Sequence, residues 1–450
     1  MMAMPIEPRN VRSRIDCIVR ADYVLPVDSG LSIIRYGAVA VDKGKIVDVS
    51  GYDDIISRYE SENVVGGSGR VVIPGLVNTH THAAMVYFRG LADDLPLKEW
   101  LENHIWPAEA EWLNHEFVSD AVELACLEML KAGITTFNDM YFFEEAAARV
   151  TKRLGMRAVL GAGVIDFPTV SAKTIDQYFE NAERFIKDWK GDELITPCIA
   201  PHSAYACGPD TLKKAKDLAE KYGVLLHIHL SETEWEVGEV KMKYGKRPVE
   251  HLEDIGFLDR NVLGVHCVWL DDKEIGLLAK KGVGVSHCIE SNMKLGAGFS
   301  PVVSMLAAGI KVTFGTDGAA SNNDLNVLSE MSTAAKVHKA IANDPTVLDA
   351  RTVLRMATRW GAEVLGQGGT TGSLEKGKSA DLVVINLMKP HLLPVYDIYS
   401  HIVYSMRASD VDTVMVGGKV LISDGEFRGG DESAIIDRAE KWGRKIRKIG

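Results

Sequence analysis

The sequence has little of what marks membrane, secreted or nucleic-acid-binding proteins. Its 450 residues contain no apolar run of about 18 residues, the length that crosses a bilayer. The N-terminal stretch MMAMPIEPRNVRSRID lacks the apolar centre of a secretory signal. A formal net charge of −11 argues against a polyanionic partner, because nucleic-acid binding needs clustered cations. These absences predict a cytoplasmic protein that binds neither membrane nor nucleic acid.

Cysteine is also sparse, and its spacing excludes common metal and redox motifs. No C-x-x-C pair occurs, so neither a zinc ribbon nor a thioredoxin-type motif is present. Without an export signal we expect free buried thiols. The scattered cysteines are Cys17, Cys126, Cys198, Cys207, Cys267 and Cys288.

What is present at the two ends of the chain indicates β structure. Alternating apolar segments with tight glycine turns occur over residues 15–50 and again from residue 380 onward. Neither end alone has enough strands for a stable sheet. We therefore predict one small β-sandwich domain formed from both termini, residues 1–69 plus 380–450, which is interrupted by a central domain at 70–379.

The middle of the chain alternates strands and helices. Eight strand–helix units over this length fit a (β/α)8 TIM-type barrel, in which active sites lie at the carboxyl ends of the strands. A doubly wound open sheet is the competing α/β architecture, but no G-x-G-x-x-G follows an early strand. The predicted strands are 71–78, 134–138, 157–164, 195–200, 224–230, 262–268, 283–288 and 311–316.

Polar residues follow the predicted strands at their downstream ends. Side chains alternate across a strand, so His80 and His82 point to the same face and can share one metal ion. Zinc favours neutral imidazole and carboxylate ligands, and a catalytic site keeps one position open for water. The recurrence predicts one metal site at the barrel mouth, with His227 and His229 as equivalent candidates for a third imidazole. The other strand-end residues are His202, Glu232, His266, His287 and Asp317.

Several of these segments resemble the amidohydrolase superfamily. The stretch 73–82, IPGLVNTHTH, is similar to the first-strand signature of that superfamily. HIHLSE at 227–232, GVH at 264–266 and GTDG at 315–318 match later signatures in the same order. The resemblance spans nearly the whole chain and is greatest to the 5′-methylthioadenosine/S-adenosylhomocysteine deaminases. It implies a metal-dependent hydrolase that deaminates a cyclic amidine.

The resemblance also implies the metal ligands. It selects His229 as the third imidazole and leaves His227 as a packed or hydrogen-bonded barrel residue. Dinuclear relatives bridge two metals with a lysine at the end of strand four, and no lysine occurs over 195–202. We expect one divalent metal ion per chain, with zinc preferred, although iron and manganese accept similar ligands. The implied ligands are His80, His82, His229 and Asp317.

The remaining roles follow from the same resemblance. Glu232 would protonate N1 of the purine, and His266 would hydrogen-bond the attacking metal-bound hydroxide. Asp317 would also carry the proton from water to the leaving amine. Glu109 would accept hydrogen bonds from the ribose hydroxyls, and His202 would contact the substrate. Glu232 and Asp317 are thus also expected to contact the substrate.

The predicted reaction is hydrolytic deamination of the 6-amino group of an adenosine derivative to the inosine analogue and ammonia. 5′-Methylthioadenosine is the first candidate, and S-adenosylhomocysteine, adenosine and 5′-deoxyadenosine are further ones. Some family members carry an arginine after strand three that meets the carboxylate of S-adenosylhomocysteine. Residues 161–167 contain none, which favours small 5′ groups.

Two alternatives stay open. One is an aminohydrolase or chlorohydrolase acting on another heterocycle, such as guanine, 8-oxoguanine or a triazine. The other is a non-catalytic barrel used for assembly, since fold does not fix function. We expect a homo-oligomer, either a dimer or a tetramer.

Overall fold

The computed structural model describes residues 12–447. Residues 1–11 and 448–450, which belong to the predicted β domain, lie outside the described residues, as does most of the N-terminal stretch considered for a secretory signal. None of the helices in the described part of the chain is long and apolar enough to cross a bilayer.

Eight parallel strands form the central barrel, and each pairs with the next along the chain. The last strand meets the first through the Asp317 backbone amide, which donates to the His80 carbonyl at 3.0 Å. Thr79 Oγ1 also donates to the Phe314 carbonyl at 2.9 Å. The barrel strands are Leu76–Thr81, Ile134–Tyr141, Arg157–Val164, Ile195–Pro201, Leu226–Leu230, Val262–His266, Gly284–His287 and Val312–Phe314.

Helices separate these strands and cover the barrel. The helix His115–Lys131 begins at an Asn114 cap, because the Asn114 side chain accepts from the Phe117 amide. The α-helices of the barrel region are Leu97–Trp100, Trp106–Trp112, His115–Lys131, Glu144–Leu154, Ile175–Trp189, Pro209–Tyr222, Glu234–Tyr244, Pro248–Asp254, Asp272–Lys281, Ile289–Lys294, Val302–Ala307, Ala319–Asn322, Val327–Ala342, Ala350–Arg355 and Gly361–Val364. A 3₁₀ helix lies at Ala83–Phe88, and π-helical turns lie at Leu101–Ile105 and Met356–Trp360.

Both ends of the chain contribute strands to one further sheet. Its order places the C-terminal strand Leu382–Asn386 beside Val64–Pro74, which in turn pairs with Cys17–Val24. The sheet has its own hydrophobic core, in which Val39, Val384 and other side chains from both ends of the chain are buried together. Its remaining strands are Ile34–Asp42, Lys45–Gly51, Val411–Val416, Lys419–Ser423 and Glu426–Phe427, and Ser13–Arg14 pairs separately with Tyr59–Glu60. Helix Tyr52–Arg58 packs on this sheet, whereas helices Ile398–Tyr404 and Glu432–Ile446 pack against helices of the barrel. Short turns lie at Pro390–Leu392 and Ala408–Asp410.

The predicted fold class, a (β/α)8 barrel with a small β-sandwich built from both termini, is confirmed. The predicted boundaries of the first barrel strand, 71–78, are wrong. Val71–Pro74 belong to the terminal sheet, and the barrel begins at Leu76. Gly75 joins the two strands. A larger residue does not fit at this position, because a Cβ there would lie 1.9 Å from Thr135 Oγ1. Both segments are apolar and buried, so hydrophobic pattern alone does not mark the change.

Candidate active site

Three histidines converge at the carboxyl end of the barrel. His80 and His82 lie on the first strand and His229 on the fifth, and their nearest ring nitrogens all lie within 4.8 Å of one another. His229 Nε2 is 3.4 Å from His82 Nε2. The alternation of side chains along the first strand therefore brings both of its histidines to the same face, as the sequence pattern predicts.

The other ring nitrogen of each histidine is held from outside the cluster. His82 Nδ1 donates to the Met140 carbonyl at 2.6 Å, and His229 Nδ1 donates to the His202 carbonyl at 2.9 Å. His80 Nδ1 lies 2.9 Å from His227 Nε2. Contacts of this kind fix the tautomer and ring orientation of metal-binding histidines. All three Nε2 atoms are thereby left facing a common point.

Asp317 faces the same point from the end of the last strand. Its Oδ1 lies 3.4 Å from His80 Nε2 and 3.3 Å from His82 Nε2. Its Oδ2 accepts from the hydroxyls of Ser291 and Ser321. Burial raises the pKa of Asp317, but the contact with His80 Nε2 and the neighbouring imidazoles outweigh this effect and hold the pKa well below its usual value.

These donors fit a divalent metal ion. Ligand atoms about 2.0–2.1 Å from zinc in a tetrahedron lie about 3.4 Å apart, which matches the separations above. Burial lowers the pKa of His80 to about 3, so its imidazole is neutral, as a ligand must be. His80 Nε2 is also buried and makes no hydrogen bond to any other described residue. His80, His82, His229 and Asp317 could therefore hold one ion together.

His266 lies beside this cluster with a different set of contacts. Its Nδ1 is 2.9 Å from Asn292 Oδ1, and an amide oxygen only accepts, so His266 donates there and keeps a lone pair on Nε2. That Nε2 lies 3.8 Å from Glu232 Oε2. The arrangement leaves His266 Nε2 able to accept a hydrogen bond within the site.

Glu232 is a buried carboxyl group beside the donor cluster. Its backbone is fixed because the amides of Ser231 and Glu232 both donate to Glu236, at 3.0 and 2.7 Å. Burial, together with the charge of Asp317, raises the pKa of Glu232 to about 8. The group therefore carries a proton at neutral pH and can act as an acid.

Glu109 faces the same cavity from the helix Trp106–Trp112. It accepts a hydrogen bond from Tyr141 Oη at 2.7 Å, and burial raises its pKa to about 7. Its neighbour Glu111 is exposed, as expected for a solvated residue. Tyr141 was not among the predicted site residues. Its only sequence signal is its place at the end of the second barrel strand, directly after Asn138-Asp139-Met140.

His202 and two other strand-end histidines have distinct positions. The His202 ring lies 4.7 Å from that of His229 and lines the cavity. His227 lies behind His80 rather than among the converging donors. His287 pairs with His338 at 3.0 Å, in agreement with a structural role.

Four residues around the site adopt left-handed backbone conformations. Ser231, His266, Cys267 and Asp317 have φ values of 50°, 69°, 49° and 63°. Such conformations are costly for residues other than glycine and occur often at functional sites. They turn the chain sharply where the strands end, and sequence pattern gives no sign of them.

The site opens into one cavity of about 280 Å³. His82, His229 and Asp317 are part of its lining. The wall also includes Glu109, His202, Glu232 and His266, together with a largely apolar set of side chains. A concave, largely apolar cavity with a few convergent polar groups is typical of a small-molecule site.

A barrel of this kind with imidazole and carboxylate donors at its carboxyl end defines a class of metal-dependent hydrolases. A family model described as "Amidohydrolase family" matches residues 71–421. The chain belongs to the amidohydrolase family.

Individual relatives are similar over almost the full length. A 5-methylthioadenosine/S-adenosylhomocysteine deaminase from Thermodesulfovibrio yellowstonii is 54% identical over 432 residues, 96% of this chain and 98% of that protein. A 5′-deoxyadenosine deaminase from Methanosarcina mazei is 45% identical over 433 residues, again 96% and 98%. The crystal structure of an adenosine deaminase from Xanthomonas campestris with bound zinc has a TM-score of 0.95 and 40% identity, covering 97% of this chain and 100% of that one. The expected family and the expectation of a metal-dependent enzyme are confirmed.

Proposed function

We propose that this protein hydrolyses the 6-amino group of an adenosine derivative and releases ammonia and the inosine analogue. The observation that supports this most directly is the buried carboxyl group of Glu232 beside four metal-type donors at one largely apolar cavity. The names of the similar proteins, which are deaminases of adenosine derivatives, support the same reaction.

The metal would be held by His80, His82, His229 and Asp317. When bound there, a divalent ion such as zinc lowers the pKa of a water molecule to about 7 and so makes a nucleophile available at neutral pH. The buried, neutral imidazoles of His80 and His229 and the ionised Asp317 supply donor chemistry for this ion. We propose one ion per chain, since the strand Ile195–Pro201 offers no lysine to bridge two.

Proton movements would be divided among three residues. Glu232 gives its proton to N1 as water adds to C6, because the ring electrons move onto that nitrogen. His266 accepts a hydrogen bond from the attacking water through Nε2. Asp317 takes one water proton and passes it to the amine, the C6–N bond breaks, and the second water proton restores Glu232. General acid–base help of this kind is typically worth about 10²–10⁴-fold in rate.

Glu109 and His202 would hold the rest of the nucleoside, alongside Glu232 and Asp317 at the purine. A carboxylate can accept hydrogen bonds from two neighbouring ribose hydroxyls. Tyr141 holds Glu109 in place through its own hydroxyl. Burial lowers the pKa of His202 to about 3, so its imidazole is neutral. A neutral imidazole can donate one hydrogen bond to the substrate and accept another.

Substitution of Glu109 tests whether the substrate is a nucleoside. Glu109→Ala should raise KM for adenosine derivatives at least roughly tenfold, since charged hydrogen bonds are worth about 1.5–3 kcal/mol. Glu111→Ala is the matched control on the same helix and should leave KM unchanged, because Glu111 is exposed. The measurement is ammonia release from 5′-methylthioadenosine, 5′-deoxyadenosine, adenosine and guanine by zinc-loaded protein.

The same panel separates the alternatives. Turnover of guanine or a triazine without turnover of any adenosine derivative would overturn the proposal in favour of another heterocycle. An unchanged KM in Glu109→Ala would show that Glu109 does not bind the ribose, and that part of the proposal would be wrong.

We also propose that the protein is a cytoplasmic homo-oligomer. All six cysteines are buried and unpaired, which suits a reducing compartment. Met388, Leu393 and Tyr396 are apolar side chains exposed on one short segment, as expected at a subunit contact. Light scattering coupled to size exclusion measures the oligomeric state.

A further inference from the structure

Asp139, a buried residue of the second barrel strand, holds the chain on both sides of His82. Its Oδ1 accepts a hydrogen bond from the Thr81 hydroxyl at 2.8 Å and another from the Ala83 backbone amide, also at 2.8 Å. Thr81 is the last residue of the first barrel strand, and Ala83 is the first residue of the 3₁₀ helix that follows. One carboxylate oxygen therefore bridges the residue before His82 and the residue after it.

The same stretch of the second strand also fixes the His82 ring. His82 Nδ1 donates to the carbonyl of Met140, the residue after Asp139, at 2.6 Å. The Thr81 hydroxyl shares its proton with the carbonyl of Asn138, the residue before Asp139, at 3.0 Å. Three consecutive residues thus hold His82 and its neighbours. Asp139 contributes through its side chain, so its part can be removed by substitution without a change to the backbone.

Backbone pairing alone does not fix the chain around His82. The register between the first two barrel strands shifts between Asn78 and Thr81, and pairing resumes where Thr81 lies opposite Asp139. His82 follows directly after the last strand residue, and its side chain is 14% exposed, whereas that of His80 is fully buried. Of these two histidines, His82 is therefore the one whose position depends more on side-chain contacts.

The second oxygen of Asp139 takes no part in these contacts. Asp139 Oδ2 is buried and makes no hydrogen bond within residues 12–447, and the same is true of Glu144 Oε2. Burial and the charge of Asp139 raise the pKa of Glu144 well above its usual value, so Glu144 is protonated at neutral pH. An amide in place of the Asp139 carboxylate would keep the accepting oxygen, and its NH2 group would lie near a carboxyl oxygen that is free to accept.

We propose that Asp139 is a positioning residue, which holds His82 in the orientation required for metal binding through its hydrogen bonds to Thr81 and Ala83. The inference rests on the metal site of the proposed function, in which His82 is a ligand. It assigns a role to a buried carboxylate that does not itself face the metal donors. Loss of a contact that orients a ligating histidine usually weakens metal binding by about 10–100-fold.

The test measures zinc affinity by competition against a chromophoric chelator, which does not depend on turnover. Asp139→Leu has a similar shape but no acceptor, and it should bind zinc about 10–100-fold more weakly than the unsubstituted protein. Asp139→Asn keeps an oxygen that can accept both hydrogen bonds, so its zinc affinity should stay within a few-fold of the unsubstituted protein. Unchanged zinc binding in Asp139→Leu, or equally weak binding in both variants, would overturn the proposal.

A pair of threonine variants tests the same contact if Asp139→Leu does not fold. Thr81→Val removes one of the two hydrogen bonds with little change in shape, and it should weaken zinc binding by roughly 2–10-fold. Thr136→Val is the matched control, because Thr136 is an equally buried threonine of the second strand whose hydroxyl makes no hydrogen bond to any described residue. Equal zinc affinities in these two variants would contradict the proposal.

A double variant separates the positioning of His82 from a general loss of stability. If Asp139 acts through His82, Asp139→Leu should weaken zinc binding in the unsubstituted protein but hardly at all in a His82→Ala background. An equal loss in both backgrounds would show that Asp139 acts on the fold as a whole, and the proposal would be wrong. Failure of the proposed function is a separate result, in which the unsubstituted protein binds zinc but releases no ammonia from any adenosine derivative.

Discussion

At the scale of single residues, His227 is the contact that holds His80 for metal binding. With His80 Nε2 used as a ligand, its proton lies on Nδ1 and His227 Nε2 is the acceptor at 2.9 Å. Both rings are fully buried. Removal of His227 therefore leaves a buried N–H without a partner and frees the His80 ring.

We expect His227→Leu to weaken zinc binding by about 10–100-fold, the usual effect of losing such an outer contact. Competition against a chromophoric chelator measures the affinity without relying on turnover. His287→Leu is the matched control, because His287 is an equally buried strand-end histidine that contacts His338 and not the donor cluster. Equal zinc affinities in the two variants would show that His227 does not position the ligand.

Residue pattern predicts part of this site and not the rest. His80 and His82 are predictable because strand alternation alone puts them on one face. Spacing cannot separate His227 from His229, since both lie on that same face of their strand. The contact between Tyr141 and Glu109 joins residues 32 positions apart, so it depends on how a helix packs over the barrel. Residues such as Asp317 have left-handed backbone conformations, which are stabilised by tertiary contacts and so cannot be predicted from the local sequence.

At the scale of secondary-structure elements, a buried ion pair joins the third barrel strand to the terminal sheet. Arg157 begins that strand, and its Nε donates to Asp381 Oδ2 at 2.8 Å. Its guanidinium also donates to Ser379, and Asp381 accepts from the Gly417 amide. Arg149 and Arg153, in contrast, lie on the preceding helix. The position of Arg157 at a strand start was predictable, but its partner 224 residues away was not.

Loss of one member of this pair should destabilise the fold strongly. Arg157→Met leaves Asp381 buried and charged, and we expect the free energy of unfolding to fall by about 3–5 kcal/mol. The double variant Arg157→Met/Asp381→Leu should lose less than the sum of the single variants, because neither charge is then left alone. Urea unfolding followed by circular dichroism measures all three.

A surface pair provides the control for that experiment. Arg149 and Glu145 form an exposed ion pair on one helix turn, so Arg149→Met should cost no more than about 0.5 kcal/mol. Additive single effects at Arg157 and Asp381 would mean that the two side chains stabilise the fold independently.

At the scale of the whole molecule, the charge state of the cavity should be visible in global stability. Burial raises the pKa of Glu232 and of Glu236 to about 8 and that of Glu109 to about 7. The unfolded chain ionises such groups near pH 4.3. Between pH 6.5 and 8.5 the folded metal-free protein therefore holds protons that the unfolded chain has already released.

The metal-free protein should accordingly lose stability as the pH rises through this range. With more protons bound in the folded state, the free energy of unfolding falls with increasing pH, by about 2–4 kcal/mol from pH 6.5 to 8.5. Urea unfolding of chelator-treated protein at both pH values measures the change, and Glu232→Gln should reduce it because one titrating carboxyl is gone. Addition of zinc should raise stability at either pH by mass action, since the ion binds the folded site. If the change in stability between pH 6.5 and 8.5 is the same in the unsubstituted protein and in Glu232→Gln, then Glu232 is ionised in the folded state and lacks the proton that its proposed role requires.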